Sequence, residues 1–338
     1  MKRTRNILAV IGVMLLPQCG DHSTEHFPGI GGDLPAAGAS SGAAGSGTIT
    51  LPDGSTGYTT TTGGYFTLSS TSTFSLSSGE SFSGMTADSS SLFTFVKRDA
   101  GGITRWDIRS AALQSTGFST VCSFLDDGNF GTSLALDSAH FYTPYSKSVR
   151  PIISRQFNRS SCSEGSLITM TSGTSPSDYY QYGRPYGRPW ASDGSSLYFE
   201  VQIDSPFSRN VGLYSIAGQS FATFDPSSIS LGGRKLALSD SGFLGILGIG
   251  ASSGGTLWII EDNLCKAGDS GDVLWKFTIS SGSIAAVGWG HLPQSICATG
   301  SFVGFVGATT LVLESIQNVS NMPNYNQVTI YYLDVSKF

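Results

Sequence analysis

Three residue types in this 338-residue chain stand in an order that could do nucleophilic chemistry: His140, Asp193 and Ser270. A serine hydroxyl becomes a nucleophile when an imidazole takes its proton and a carboxylate orients that imidazole. Ser270 sits in Gly268-Asp269-Ser270-Gly271, where backbone N–H groups could form an oxyanion hole. Cys265 precedes this loop and Cys297 follows it. A second stretch has the chemistry of binding. Tyr179, Tyr180, Tyr182, Arg184, Tyr186, Arg188 and Trp190 fall within twelve residues punctuated by Pro185 and Pro189. Tyr, Trp and Arg dominate binding hot spots, and aromatic rings also stack on sugars. The same composition suits a long loop packed over a domain face.

Metal chemistry is poorly served. His22 and His26 lie in a stretch without rigid geometry, and Asp126-Asp127-Gly128-Asn129 lacks the full spacing of a calcium loop. No metal site is expected. A Gly-rich phosphate loop with its lysine is absent from the sequence, so no cofactor is expected.

Ser138-Ala139-His140, Ser192-Asp193 and Gly268-Asp269-Ser270-Gly271, with Val287-Gly288-Trp289-Gly290, resemble the trypsin-like serine proteases. That resemblance implies a double β-barrel and an endopeptidase with His140 as base, Asp193 as its orienter and Ser270 as nucleophile. The sequence departs from that family at telling places. Gly271 is followed by Asp272, a carboxylate beside the place where negative charge would develop. Phe141 stands where the family's histidine motif has a cysteine, and the chain ends in the strand-like VTIYYLDVSKF.

The elements that must position these residues repeat. Met85–Phe95, Ala135–Tyr142, Trp190–Phe199, Leu236–Gly245 and Ile296–Phe305 each run from a small or apolar start through a polar turn into an alternating aromatic strand. Asp88, Asp137, Asp193 and Asp240 anchor four of the turns, and Thr299-Gly300 takes the fifth. A second aromatic-rich segment follows: Ile103–Ile108, Ile152–Phe157, Val211–Gly218, Val273–Gly282 and Val328–Val335. Segments of this kind resemble the strands of β-propeller blades. A unit of about 45 residues with four short strands cannot bury both faces alone and stacks radially on its neighbours. The fold class expected is therefore all-β, a propeller of five to six blades, with the trypsin-like double barrel as the alternative. Residues 60–80 could supply a closing strand or part of a sixth blade. His140 and Asp193 then fall at equivalent turns of a repeat, and Gly268–Gly271 has the chemistry of a strand-joining turn.

The flanking sequence addresses the cellular setting. Lys2, Arg3 and Arg5 precede ten apolar residues, Ile7–Leu16. That is the length of a secretory signal core and short of a membrane span. Leu16-Pro17-Gln18-Cys19 resembles a bacterial lipobox, with Gln18 where a small residue is usual, and implies lipidation of Cys19. Residues 1–19 are read as signal peptide, 20–60 as a Gly/Ser/Ala-rich tether and 61–338 as the propeller. Besides Cys19 there are Cys122, Cys162, Cys265 and Cys297. Four cysteines allow three pairings, of which Cys122–Cys162 with Cys265–Cys297 is preferred. A net charge of −5 gives no basic footprint for nucleic acid. Together these features predict an exported, lipid-anchored, monomeric propeller at the periplasm or outer cell surface. Its expected role is non-enzymatic binding or scaffolding, with a protein or carbohydrate ligand and the membrane as partners.

Overall fold

In the computed structural model, every regular element among the described residues is a β-strand. Those residues are 48–50, 56–58, 67–145, 151–171, 173, 190–204, 207–225, 229–231, 234–236, 246–252, 255–261, 273–280, 283–291, 302–306, 310–316 and 327–335. All belong to the second of the chain's two units, Ala44–Phe338. A hairpin of β1 (Thr48–Thr50) and β2 (Thr56–Tyr58) comes first, then β3 (Thr67–Ser75). Blade I is the antiparallel meander of β4 (Glu80–Ala87), β5 (Ser91–Ala100), β6 (Ile103–Ala112) and β7 (Ser119–Leu125). Blade II holds β8 (Ala135–Leu136), β9 (His140–Pro144), β10 (Ile153–Asn158) and β11 (Ile168–Thr169). Blade III holds β12 (Trp190–Ser192), β13 (Ser196–Asp204), β14 (Phe207–Ser215) and β15 (Ser220–Phe224).

The short pair β16 (Ser230–Leu231) and β17 (Arg234–Lys235) precedes blade IV. That blade is β18 (Ile246–Ser252), β19 (Thr256–Glu261), β20 (Val273–Ser280) and β21 (Ser283–His291). Blade V is β22 (Phe302–Val306), β23 (Thr310–Ile316) and β24 (Gln327–Asp334), completed on its outer edge by β3.

The first strands of the five sheets meet in a closed cycle, β4 to β8 to β12 to β18 to β22 and back to β4. This is a five-bladed β-propeller. Residues within 60–80 supply the closing strand of the last blade and not a sixth blade. The double barrel implied by the protease resemblance is not formed, because the blade strands divide into five separate four-stranded antiparallel sheets, four of them meanders in sequence order and the fifth completed by β3. The second segment of the repeat is the third strand of every blade, Ile152–Phe157 included. The stretch read as a tether, 20–60, carries β1 and β2 at its C-terminal end, and β2 lies against β21. The β-branched residues Thr48, Ile49, Thr50 and Thr56 around Pro52-Asp53-Gly54 favour such a hairpin. Residues 20–47 lie outside the described residues.

Burial explains the strand sequences. A second strand is covered on both faces by neighbouring blades, so burial runs on without alternation: Leu92–Val96, Leu197–Gln202 and Leu257–Glu261 are buried throughout, with Thr94, Glu200, Gln202 and Glu261 as the polar residues among them. The outer strand β7 alternates, with Cys122 buried while Val121 and Leu125 are exposed. Separate apolar layers fill the wedges between blades. Phe95, Trp106, Phe130 and Phe157 lie between I and II; Tyr142, Trp190, Phe199 and Val201 between II and III; Tyr198, Val211, Leu257 and Trp275 between III and IV. The ring is tight at its inner wall. A Cβ on Gly84 would approach Ser133 Cα at 3.1 Å and Leu134 N at 3.2 Å. A side chain there would push blade I off the strand entering blade II.

A disulfide joins Cys122 on β7 to Cys162 in the connection after β10, with Cα atoms 5.5 Å apart. It therefore fastens the outer edge of blade I to blade II. The preferred partner bond, Cys265–Cys297, lies outside the described residues. Closing a 40-residue separation removes unfolded-state entropy. Replacing Cys122 and Cys162 together by Ser is expected to cost about 3–4 kcal/mol in urea denaturation of the oxidised protein. A loss well below about 1 kcal/mol would show that the bond carries none of this constraint.

Candidate functional site

Turn chemistry places His140 and Asp193. In blade I, Asp88 Oδ1 accepts the N–H groups of Ser90 and Ser91, both at 2.9 Å, and the Ser90 hydroxyl at 3.0 Å. Asp137 Oδ1 accepts the N–H groups of Ala139 (2.7 Å) and His140 (2.6 Å) in blade II. Asp193 Oδ1 does the same in blade III with Ser195 and Ser196, both at 2.8 Å. Each Asp N–H returns to the carbonyl three residues on, in Ser91, His140 and Ser196. The carbonyl two residues after each Asp takes an N–H from just beyond the third strand, in Leu113, Arg159 and Ile216. Each Asp turn thus ties three strands of its own blade together: the carboxylate holds the reversal, the work Asp does in local turns, and the turn carbonyl holds the end of the third strand.

The second carboxylate oxygen is also committed. Tyr142 donates its hydroxyl to Asp137 Oδ2, and Tyr198 donates to Asp193 Oδ2, both at 2.7 Å. Each tyrosine lies five residues after its Asp. In blade I that position is Phe93, which has no hydroxyl to give. Arg159 of blade II supplies the missing donor, with Nη2 2.7 Å from Asp88 Oδ2. Its guanidinium lies 4.9 Å from the Phe93 ring centre and 5.4 Å from that of Phe141, and Nη1 donates to the Asp137 carbonyl at 2.8 Å. Sequence reasoning missed Arg159. The only signal for it was a phenylalanine where the other two copies have tyrosine.

These contacts set the protonation states. Burial pushes the Asp137 carboxyl up, but the Tyr142 hydroxyl and the two turn N–H groups outweigh it and hold it below its ordinary value. Asp88 is likewise lowered: burial opposes, and the N–H and hydroxyl of Ser90 with Arg159 prevail. Burial, then the neighbouring aspartate, pushes the Tyr142 and Tyr198 hydroxyls far up, so both stay protonated donors.

The proposed triad is not assembled by these turns. The carboxylate beside His140 is Asp137, with Oδ1 3.5 Å from Nδ1. Asp193 belongs to the next blade and spends both oxygens on its own turn. Ser270 lies outside the described residues, in the connection from β19 to β20. Rotation about the ring axis carries each blade onto the next, so corresponding strand ends share a face. The turns holding His140 and Asp193 join first to second strands. The β19–β20 connection joins a second strand to a third, at the opposite end of the blade.

That opposite face also receives the connections between blades. Residues between β11 and β12 include Tyr179, Tyr180, Tyr182, Arg184, Tyr186 and Arg188, which lie outside the described residues. Trp190, assigned to the same binding stretch, is 2% exposed and stacks on Phe199 at 4.9 Å. It is a core residue of blade III, because it begins the strand β12 rather than ending the loop. The connection from β7 to β8 is described in full. Asp126 Oδ1 and Asp127 Oδ1 cap the N–H groups of Gly128 and Asn129. Asp127 also receives Arg155 Nη1 at 3.0 Å, while Nε and Nη2 of Arg155 grip Glu164, each at 2.8 Å. The buried guanidinium lies 3.8 Å over Phe130. Through Arg155 on β10, Asp127 fastens this loop to blade II. Among the described residues no group of three or more His, Cys, Asp or Glu side chains could hold a metal ion.

No protein-family model matches the chain, and no curated protein matches it. Solved structures with related architecture include TolB from Acinetobacter baumannii, at 12% identity and a TM-score of 0.38. That alignment covers 76% of this chain and 55% of TolB. The catalytic domain of the GH62 α-L-arabinofuranosidase of Coprinopsis cinerea aligns at 9% identity and TM-score 0.43, covering 78% and 96%. A family 117 glycoside hydrolase of the marine bacterium Zobellia galactanivorans aligns at 8% identity and 0.45, covering 80% and 90%.

The Asp turn carries a pH test. A carboxyl whose folded value is lowered contributes fully above its ordinary value of about 3.8 and loses that contribution as pH falls through the folded value. Asp137→Ala is expected to cost about 2 kcal/mol at neutral pH, by stranding the Tyr142 hydroxyl and two N–H groups. The deficit should shrink in urea titrations as pH falls below the ordinary carboxyl value of 3.8 and through the lowered folded one. A deficit that stays constant with pH would show that the carboxylate charge plays no part.

Proposed function

We propose that this chain is an exported, lipid-anchored binding module of the bacterial cell envelope, with its ligand-facing surface at the end of the propeller opposite the Asp turns. The observation that supports it best is topological. The sequence between β11 and β12, rich in Tyr and Arg, and the sequence between β19 and β20 both leave strands at that one face. A ring of blades holds such connections on a rigid base, so that side chains from separate blades converge on one ligand. The Asp turns of blades I, II and III, at the other face, spend their carboxylates on structure.

Export is supported by the basic and apolar N-terminal sequence ending in Cys19. The Cys122–Cys162 bond is of the kind that persists in an oxidising compartment. A single acyl chain gives only marginal attachment, and a lipid-modified cysteine with more than one chain gives a stable anchor.

Two outcomes are expected. In a bacterial host, wild-type chain should fractionate with membranes, and Cys19→Ser should release it to the soluble fraction. An unchanged distribution would remove the anchor from the proposal. The released protein should co-sediment with purified envelope, as peptidoglycan sacculi or as protein-bearing outer-membrane fragments. Arg184→Ser with Tyr186→Ser should abolish that sedimentation without shifting Tm. Sedimentation with neither fraction, or equal sedimentation of the variant, would overturn the binding surface.

A further inference from the structure

The ring closes where β3 of blade V packs against blade I. Phe74 of β3 lies 4.7 Å from Phe118 and 6.2 Å from Phe82, ring centre to ring centre. Ser70, Ser72 and Phe74 alternate onto one face of β3, opposite Tyr332, Ile330 and Val328 of β24. Those three residues share an apolar layer with Leu92 and Val96 of blade I. Thr94 sits between Leu92 and Val96 on the same face of β5. Three hydroxyls are thus turned into one seam.

None of the three has a hydrogen-bond partner among the described residues. Thr94 is 0% exposed and Ser72 8%. The polar groups beside them are already satisfied. Ser69 Oγ donates to the Tyr332 carbonyl at 2.7 Å, and the Gln114 N–H donates to the Tyr332 hydroxyl at 2.8 Å. Arg109, the cross-strand neighbour of Thr94, is engaged by Glu80 and lies 3.6 Å from Asp107. A buried hydroxyl without a partner is costly, and native interiors seldom leave several in one layer.

We propose that this seam is a site for ordered internal water, which bridges Ser70 and Ser72 of the closing strand to Thr94 of blade I. Water suits the chemistry. Each hydroxyl donates one hydrogen and accepts others, and one water can meet up to four such groups. A buried water of this kind is part of the fold and is held far longer than surface water. Blade V would then close on blade I through an apolar contact at Phe74 and a wet polar contact beside it.

Thr94→Val and Ser72→Ala test this, singly and together, in the full chain. Val keeps the shape of Thr and removes the hydroxyl. If water bridges the seam, Thr94→Val should lower Tm by about 2 °C or more, and the double variant should lose less than the sum of the two. A dry seam gives the opposite sign, since removing an unsatisfied hydroxyl relieves its cost. The deciding measurement is magnetic relaxation dispersion of water in folded protein, which counts long-lived internal molecules. Wild type should exceed the double variant by at least one. A Tm that is unchanged or raised in Thr94→Val, or equal water counts in the two proteins, overturns the proposal.

Discussion

The second strands of blades I, III and IV are buried on both faces, and that constraint governs the rest. A lone sheet with runs such as Leu92–Val96 and Leu257–Glu261 would expose apolar side chains on both of its faces to water. Radial stacking covers both faces, but only if the circle is complete. The first and last blades therefore have to meet, and the chain brings them together by giving β3 to the outer edge of blade V. The disulfide from β7 to the connection after β10 and the contact of Gly84 with the strand entering blade II serve the same end at the outer and inner walls.

The Asp turns solve a smaller problem inside blades I, II and III. A first strand must reverse into a second, and its turn must also meet the end of the third. A carboxylate has enough acceptor sites to take two N–H groups with one oxygen and a tyrosine hydroxyl with the other. Blade I shows how strongly the geometry asks for that second donor. Where Phe93 removes the hydroxyl, Arg159 of the next blade supplies a guanidinium instead, and a bond within a blade becomes a bond between blades.

Much of this was legible in the residues. Asp88, Asp137 and Asp193 mark turns because Asp caps nearby N–H groups, a property of the side chain and its neighbours in sequence. The third strands were visible because an aromatic-rich run follows each copy, beginning 15, 15 and 18 residues after Asp88, Asp137 and Asp193. The same chemistry produced the likeness to a protease, since His140 and Asp193 are turn residues in consecutive copies. Contacts set by folding in three dimensions were hidden. Arg155 and Arg159 find their carboxylates 28 and 71 residues away. Trp190 has the composition of a binding residue, and only its place at the start of β12 puts it in the core.

The closing strand has a mechanical consequence. Residues before Thr67 enter the ring through β3, so a pull on the N-terminal segment is delivered along that strand once the contact of β2 with β21 gives way. Its ladder with β24 runs from Ser75 opposite Gln327 to Thr67 opposite Asp334. Hydrogen bonds of an antiparallel pair stand at right angles to the strands. Whether they part together or in turn depends on where the opposing grip lies. A grip at the Asp334 end would peel them one by one from Thr67. A grip spread over the other blades would load them together in shear, the geometry in which a short strand holds best.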